Sequence, residues 1–206
     1  QKQMEEALRD AQSRDSLTGL YNRETGVHMA QEYLLSKSPD EACGLMLLDM
    51  DDFGRINEVE GHAFADAILQ EVADILRTET GPEDVQIRLG GDEFMLFVKD
   101  CPKSRATLLG PRIAEQVGLI FARKDLKISV SIGMCVTEVV EEYSALYRCA
   151  ESTLKYAKEN CRGRACCYLD TSNELGTFLT QIYTQQHLVN KIEHVSPRKD
   201  EDLVSF

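Results

Sequence analysis

Val85, Ile87 and Leu89 alternate with Gln86 and Arg88, the two-residue period of a strand with one face buried. Residues 94–98 (FMLFV) are apolar throughout, as in a strand covered on both faces. Between them, Gly90-Gly91-Asp92-Glu93 has the chemistry of a tight hairpin turn, because glycine accepts positive φ without steric cost. The pattern therefore predicts a hairpin with two adjacent carboxylates at its tip. "ACGLMLLDM" (42–50), "LKISVSIGMCV" (126–136) and "RACCYL" (164–169) read as further strands. Helical periodicity predicts helices over 23–36, around 55–59, and over 63–78, 104–122 and 143–160. Pro111 is expected to bend or break the fourth of these. Strands and helices alternate, while the hairpin makes the sheet mixed or antiparallel, which gives an α/β (α+β) class.

The two ends read differently. Residues 1–14 are polar and helix-favouring, with Met4, Ala7, Leu8 and Ala11 as a thin apolar seam. That suits a connecting helix or coiled coil, although three turns do not establish a heptad. Position 1 is Gln, which suggests a piece of a longer chain. In 171–206, Leu175, Phe178, Leu179, Ile182, Tyr183, Leu188, Val189 and Ile192 fit one helical face, followed by a polar, flexible end. The expected organisation is a connecting helix (1–14), one domain (15–170) and a C-terminal helical extension with a flexible tail (171–206).

Composition narrows the chemistry. With 206 residues and 43% hydrophobic content, the chain suits one ordinary domain plus appendages. Lys+Arg 23 against Asp+Glu 35 gives −12, which argues against a general nucleic-acid or anionic-membrane surface. An anionic ligand then needs local cations or a metal. There is no run long enough to insert in a bilayer. The seven cysteines are odd in number, form no CxxC pair and, as at Cys43, Cys135 and Cys149, stand in apolar settings. They read as buried thiols in a reducing cytosol.

A second acidic element accompanies the hairpin. "LLDMDDFGRINEVEGHAFADAIL" starts at the carboxyl end of a buried strand, a usual place for ligand sites in α/β sheets. Asp49, Asp51 and Asp52, with Asp92 and Glu93, offer the hard oxygens that Mg²⁺ takes, phosphates completing its shell. Two other readings compete: Asp52 as an ordinary helix cap, and a calcium EF-hand loop using Asp49, Asp51, Gly54, Ile56 and Glu60. Phe53 offers no oxygen at the fifth position of such a loop, and "GLMLL" before it reads as strand.

Taken together, "DSLTGLYNR" (15–23), "DMDDF…N…GH…AD", Gly90-Gly91-Asp92-Glu93-Phe94, "SVSIG" and "YAKENCR" resemble, in order over about 15–169, the GGDEF family of diguanylate cyclases. The resemblance implies a central, mostly antiparallel five-stranded sheet wrapped by helices, like that of nucleotide cyclases. It implies condensation of two GTP into cyclic di-GMP with release of pyrophosphate, in a cytoplasmic homodimer whose subunits each hold one GTP. A sensor or regulatory domain is expected elsewhere in the full-length chain. The cofactor implied is Mg²⁺ (or Mn²⁺), on Asp49, Asp92 and the main-chain carbonyl of Met50. Asp92 and Glu93 are implied as the catalytic carboxylates, with Glu93 beside the metal as a further ligand or a helper in removing the 3′-hydroxyl proton. The motif does not decide which of them is the base. Phe53, Gly54, Asn57, Asp66, Gly90, Gly91, Lys158 and Arg162 fall at substrate-binding positions. Asn57 and Asp66 match the guanine-reading pair; Lys158 and Arg162, one turn apart on a helix, match the phosphate-binding cations. The chain departs from the family pattern at Gly54 (usually Lys), Cys161 and Ala65 (usually Gly) and Glu58 (usually Asp). "GPED" (81–84) stands where many relatives bind product through RxxD, with glycine in the arginine's place. None of these changes removes a metal ligand. The alternative implied is a degenerate domain that binds GTP or a protein partner without turnover.

Overall fold

A computed structural model describes residues 11–122, 126–139 and 141–170, together with Met4 and the segments 178–182, 193–194 and 204–205. The elements run β1 (Tyr21–Asn22), α1 (Arg23–Ser36), β2 (Cys43–Met50), α2 (Phe53–Glu60), α3 (His62–Glu79), β3 (Val85–Gly90) and β4 (Glu93–Val98). They continue with α4 (Lys103–Ala122), β5 (Val130–Thr137), α5 (Tyr143–Asn160) and β6 (Ala165–Asp170). The sheet order is β1-β3-β4-β2-β5-β6. The central pairings β3/β4, β4/β2 and β2/β5 are antiparallel, whereas β1/β3 and β5/β6 are parallel. The five full strands expected are present, and the two-residue β1 makes a sixth.

The sheet separates two cores by simple alternation. Met46, Leu48 and Met50 of β2 and Phe94, Leu96 and Val98 of β4 face α3 and α4. Leu45, Leu47, Met95 and Phe97 face α1 and α5. Both faces are covered, which is why 94–98 carries no polar residue. Asp49 has the parity of the α1/α5 face.

Four sequence expectations change. The helical face placed on the tail is contradicted at Phe178–Ile182, which is a strand, β7, antiparallel to β6. Phe178, Leu179 and Ile182 have helical spacing, but the open edge of β6 supplies a ladder, and tertiary pairing overrides the local pattern. Two further short strands, β8 (Glu193–His194) and β9 (Val204–Ser205), pair with β7 and β6; the latter lies in the stretch read as flexible. Leu175, Tyr183, Leu188, Val189 and Ile192 lie outside the described residues, as does most of 1–14. The third change is that β5 begins at Val130, not at 126: Leu126 and Ile128 pack on the core ahead of the strand. The fourth is that α4 runs unbroken through Pro111. The burial of Leu109, Ile113 and Ala114 on either side of the proline outweighs one missing backbone bond.

Two local contacts fix the end of the sheet that carries the acids. A Cβ on Gly133 would lie 2.0 Å from the backbone nitrogen of Leu154 and 2.5 Å from the carbonyl of Ala150. Helix α5 therefore rests backbone-to-backbone on β5, an approach only glycine permits. At the other side, Arg88 donates to the carbonyl of Gly91 (Nη2, 2.8 Å) and to Asp15 (Nη1, 3.1 Å), tying the hairpin to the opening loop. Asp15 also accepts from the amide and hydroxyl of Thr18. Burial alone would raise its carboxyl, but the bonds from Thr18 and Arg88 outweigh it and hold the carboxyl below its ordinary value.

Gly133→Ala is expected to destabilise the protein by about 3 kcal/mol, the upper end of overpacking, since backbone has nowhere to retreat. Gly118→Ala, in the interior of α4 with open space at the Cβ position, is expected to stabilise by about 0.5–1 kcal/mol. Urea denaturation measures both, and similar midpoints for the two variants would refute the close approach.

A depressed folded-state pKa makes Asp15 stabilising above its unfolded value, with the contribution lost as pH falls through the folded one. Asp15→Asn should therefore cost about 1 kcal/mol at neutral pH. The gap to the parent should close as pH falls below the ordinary value of 3.8. Stability profiles of the two proteins that stay parallel into acid would contradict this.

Candidate functional site

The hairpin tip is built by backbone geometry. Gly90 and Gly91 have φ of 139° and 54°, a register shift falls between Arg88 and Gly90, and Gly90 pairs with Glu93. Nothing lies within 4 Å of a Cβ built at either glycine, so the positive φ demands glycine and leaves open space beside the acids. On the neighbouring strand, Asp49 stands opposite Glu93 on one side and Ser131 on the other. The amide of Met50 donates to the carbonyl of Asp92 (3.3 Å), locking the tip to the end of β2. Burial and then the charge of Asp49 raise the carboxyl of Asp92. Lys158, in the last turn of α5, places Nζ 2.7 Å from Asp49 Oδ1.

Asp51 plays a different part from its neighbours. It is buried, accepting from Ser129 Oγ (2.6 Å), Ser131 Oγ (2.8 Å) and Arg162 Nε (3.3 Å). Its own amide donates to the carbonyl of Ser129. With its carboxylate so engaged, Asp51 acts as a tie between β2, β5 and the loop after α5. Sequence reading missed this hub. Its signal was present in "SVS", whose two hydroxyls lie alongside the acidic strand end.

Asp52 occupies the position before α2 in a left-handed conformation (φ 56°), yet its side chain makes no cap bond. Its carboxylate accepts instead from Arg162 Nη2 (2.9 Å), so the capping reading fails. Arg162 itself is not on the helix with Lys158, as the spacing suggested: α5 ends at Asn160, and Arg162 lies beyond the C-cap, Cys161. The helix end turns it back onto Asp51 and Asp52. The EF-hand reading also fails, because Asp49 lies in a strand while Gly54, Ile56 and Glu60 lie in one helix.

The remaining substrate positions fall on α2 and α3, which Gly61 (φ 85°) joins. The side-chain oxygen of Asn57 is buried without a hydrogen-bond partner among the described residues. Such an orphan acceptor is costly unless something fills it. Asp66 is exposed on α3. Phe53 packs against the larger core, and Gly54 is exposed with open space around it. Arg55 lines a cleft of about 390 Å³ with Asp51, Asp52, Ile56 and Phe64. The departure at Cys161 is conformationally neutral, since its φ of −141° does not require glycine. In "GPED", Asp84 is buried and already accepts from the amides of Gly81 (2.7 Å) and Lys99 (3.1 Å) and from Arg105.

Asp49 and Asp92 fit a hard divalent cation such as Mg²⁺ or Mn²⁺. Both present carboxylate oxygens, and the raised carboxyl of Asp92 is the condition a nearby cation relieves. The carbonyl of Met50 is adjacent in the chain. Among the described residues no three His, Cys, Asp or Glu side chains gather into a cluster. Mg²⁺ does not need one, because it is commonly held by one or two carboxylates plus substrate phosphates. No described helix is long and apolar enough to cross a membrane.

Comparison with known proteins bears on the fold and the family. Diguanylate cyclase DgcM of Escherichia coli (strain K12) is 32% identical over 167 residues, covering 80% of this chain and 40% of DgcM. Cyclic di-GMP phosphodiesterase PdeR of the same organism is 27% identical over 177 residues, covering 84% of this chain and 27% of PdeR. The chain thus spans well under half the length of these curated relatives. Among solved structures, diguanylate cyclase SiaD of Pseudomonas aeruginosa, in complex with its activator SiaC, superposes with a TM-score of 0.71 at 28% identity. That match covers 82% of this chain and 66% of SiaD. The family model described as "Diguanylate cyclase, GGDEF domain" matches residues 12–164, and the chain belongs to the GGDEF family.

Proposed function

We propose that residues 15–170 form a diguanylate cyclase domain that condenses two GTP into cyclic di-GMP and pyrophosphate. The observation that carries this reading is that Asp49, opposite Glu93 in the sheet, and the hairpin-tip Asp92, whose carbonyl accepts from the amide of Met50, meet at one end of the sheet. There burial and then the charge of Asp49 raise the Asp92 carboxyl. A bound Mg²⁺ (or Mn²⁺) supplies neutralisation of triphosphate charge and a lower pKa for the attacking hydroxyl. In this reading Asp49, Asp92 and the Met50 carbonyl hold the metal, and Gly90 and Gly91 let the triphosphate approach the backbone. Asn57 and Asp66 bind guanine, beside Phe53 and the open Gly54. Lys158 and Arg162 take the phosphates, exchanging Asp49, Asp51 and Asp52 for them. Glu93, exposed opposite Asp49, is placed to receive the 3′-hydroxyl proton. That oxygen bonds to the α-phosphorus of the other GTP, whose pyrophosphate leaves. Two such transfers close the ring, so two copies must face each other as a homodimer. We place the domain in the cytoplasm, with a sensor or regulatory domain elsewhere in the full-length chain.

Incubation of the full chain with GTP and Mg²⁺ should yield cyclic di-GMP. Asp92→Ala should lower turnover at least about 100-fold while leaving the circular dichroism spectrum unchanged, because the tip carries no core side chain. Parent-like turnover by that variant would remove the metal assignment. A second reading is favoured by one observation, the open space at Gly54 where a cation is usual. It predicts GTP binding without product.

Because Asp84 is engaged by Gly81, Lys99 and Arg105, and glycine offers no guanidinium, the product should not inhibit through "GPED". Initial rates should stay within about twofold on adding cyclic di-GMP up to about 100 μM. Strong noncompetitive inhibition that Asp84→Ala abolishes would contradict this.

A further inference from the structure

The sulfurs of Cys161 and Cys166 lie 3.7 Å apart. Cys161 is half-buried at the C-cap of α5, and Cys166 is fully buried in β6. The setting differs from that of Cys101 and Cys167, which are buried within the larger core. The chain between the two thiols carries Arg162, bound to Asp51 and Asp52. It also carries Gly163, whose amide donates to Ser131 Oγ (3.1 Å), the same hydroxyl that donates to Asp51. One end of this segment is fixed: Cys166 pairs with Gly133 in the sheet. The other end is the termination of a helix.

We propose that Cys161 and Cys166 form a reversible dithiol–disulfide pair, oxidised by hydrogen peroxide, whose state sets the position of Arg162 beside the acidic site. Cys161, the more accessible, attacks a peroxide oxygen as its thiolate. The O–O bond breaks, leaving a sulfenic acid on Cys161 and releasing one water. The Cys166 sulfur then attacks the sulfenic sulfur, the S–S bond forms, and the oxygen leaves as a second water. The peroxide is reduced, and the two thiol hydrogens leave in the waters. A disulfide holds its sulfurs about 2 Å apart, well inside the present separation. With Cys166 held in register, the helix-end side gives. Arg162 is carried with it, away from Asp51, Asp52 and the end of the sheet where the phosphates are proposed to sit. The consequence for nucleotide binding rests on the function proposed above; the thiol pair does not.

The full chain is treated with hydrogen peroxide and digested with trypsin. Cleavage after Arg162 and Arg164 puts the two cysteines on different peptides, so the bond appears as a linked pair. Linkage is expected in the parent and in Cys167→Ser, reversed by dithiothreitol, and absent in Cys161→Ser and Cys166→Ser. GTP affinity, measured by titration calorimetry, is expected to fall about tenfold on oxidation, the size of one charge-assisted contact. In Arg162→Ala, oxidation should cause no further fall. Absence of the linked peptides overturns the proposal outright. Linkage with unchanged GTP affinity overturns the coupling to Arg162. Linkage in a protein whose reduced form binds no GTP establishes the thiol pair and overturns the substrate reading together with that coupling.

Discussion

Helix α5 lies on β5 with no side chain between them at Gly133, and the acidic end of the molecule depends on that depth. Lys158 follows Leu154 by one helical turn, so the contact that seats Leu154 also sets how far along the sheet Lys158 reaches. It reaches Asp49 at 2.7 Å. A side chain at 133 would lift the helix, and Lys158, the helix end and Arg162 would rise with it. A glycine in the middle of a buried strand ordinarily weakens it. Here the loss is offset by the packing of α5 across the smaller core.

The opposite edge of the site is held by charge. Asp51 gathers Ser129, Ser131 and Arg162, and Arg88 gathers Asp15 and the hairpin carbonyl of Gly91. Neither Asp51 nor Arg88 is itself proposed to touch substrate, although Arg162 is. Each ties a flexible piece, the loop after α5 or the hairpin tip, to the rigid strands, so that Asp49, Asp92 and Lys158 are carried on fixed backbone. Positioning a site from elements that are themselves packed is more exact than positioning it from loops.

Much of this was legible in the sequence because the elements are strongly patterned. The alternation in 85–89, the apolar run in 94–98 and the glycine pair between them specify a hairpin through local rules alone. Boundaries set by tertiary packing were not legible. Leu126 and Ile128 look like strand residues because they are apolar, but they fill the core from a loop. Phe178–Ile182 looks helical because Phe178, Leu179 and Ile182 fit one helical face, and what decides it is the edge of β6 it pairs with. In the site, the acids and cations were legible as types and positions. Their partners were not: spacing put Arg162 on a helix with Lys158, whereas the helix stops at Asn160. Ser129 and Ser131 looked like ordinary strand residues until β5 brought them beside Asp51.

The charges at this end of the sheet are arranged at some cost to folding. Asp49 and Glu93 stand directly opposite each other, a like-charge pairing that destabilises a sheet. Asp92 is held where burial resists its ionisation, and Asp52 adopts a conformation that non-glycine residues avoid. Lys158 and Arg162 offset part of this by pairing with Asp49, Asp51 and Asp52. These are the same cations assigned to the phosphates in the proposed reaction, so ligand binding at this site is an exchange of partners. A cation leaving a carboxylate for a phosphate gains only the difference between the two contacts, and the carboxylate it leaves must find a new countercharge. A divalent metal on Asp49 and Asp92 would supply one. If the proposed reaction holds, metal and triphosphate would favour each other's binding, because each would remove an electrostatic penalty that the other faces alone.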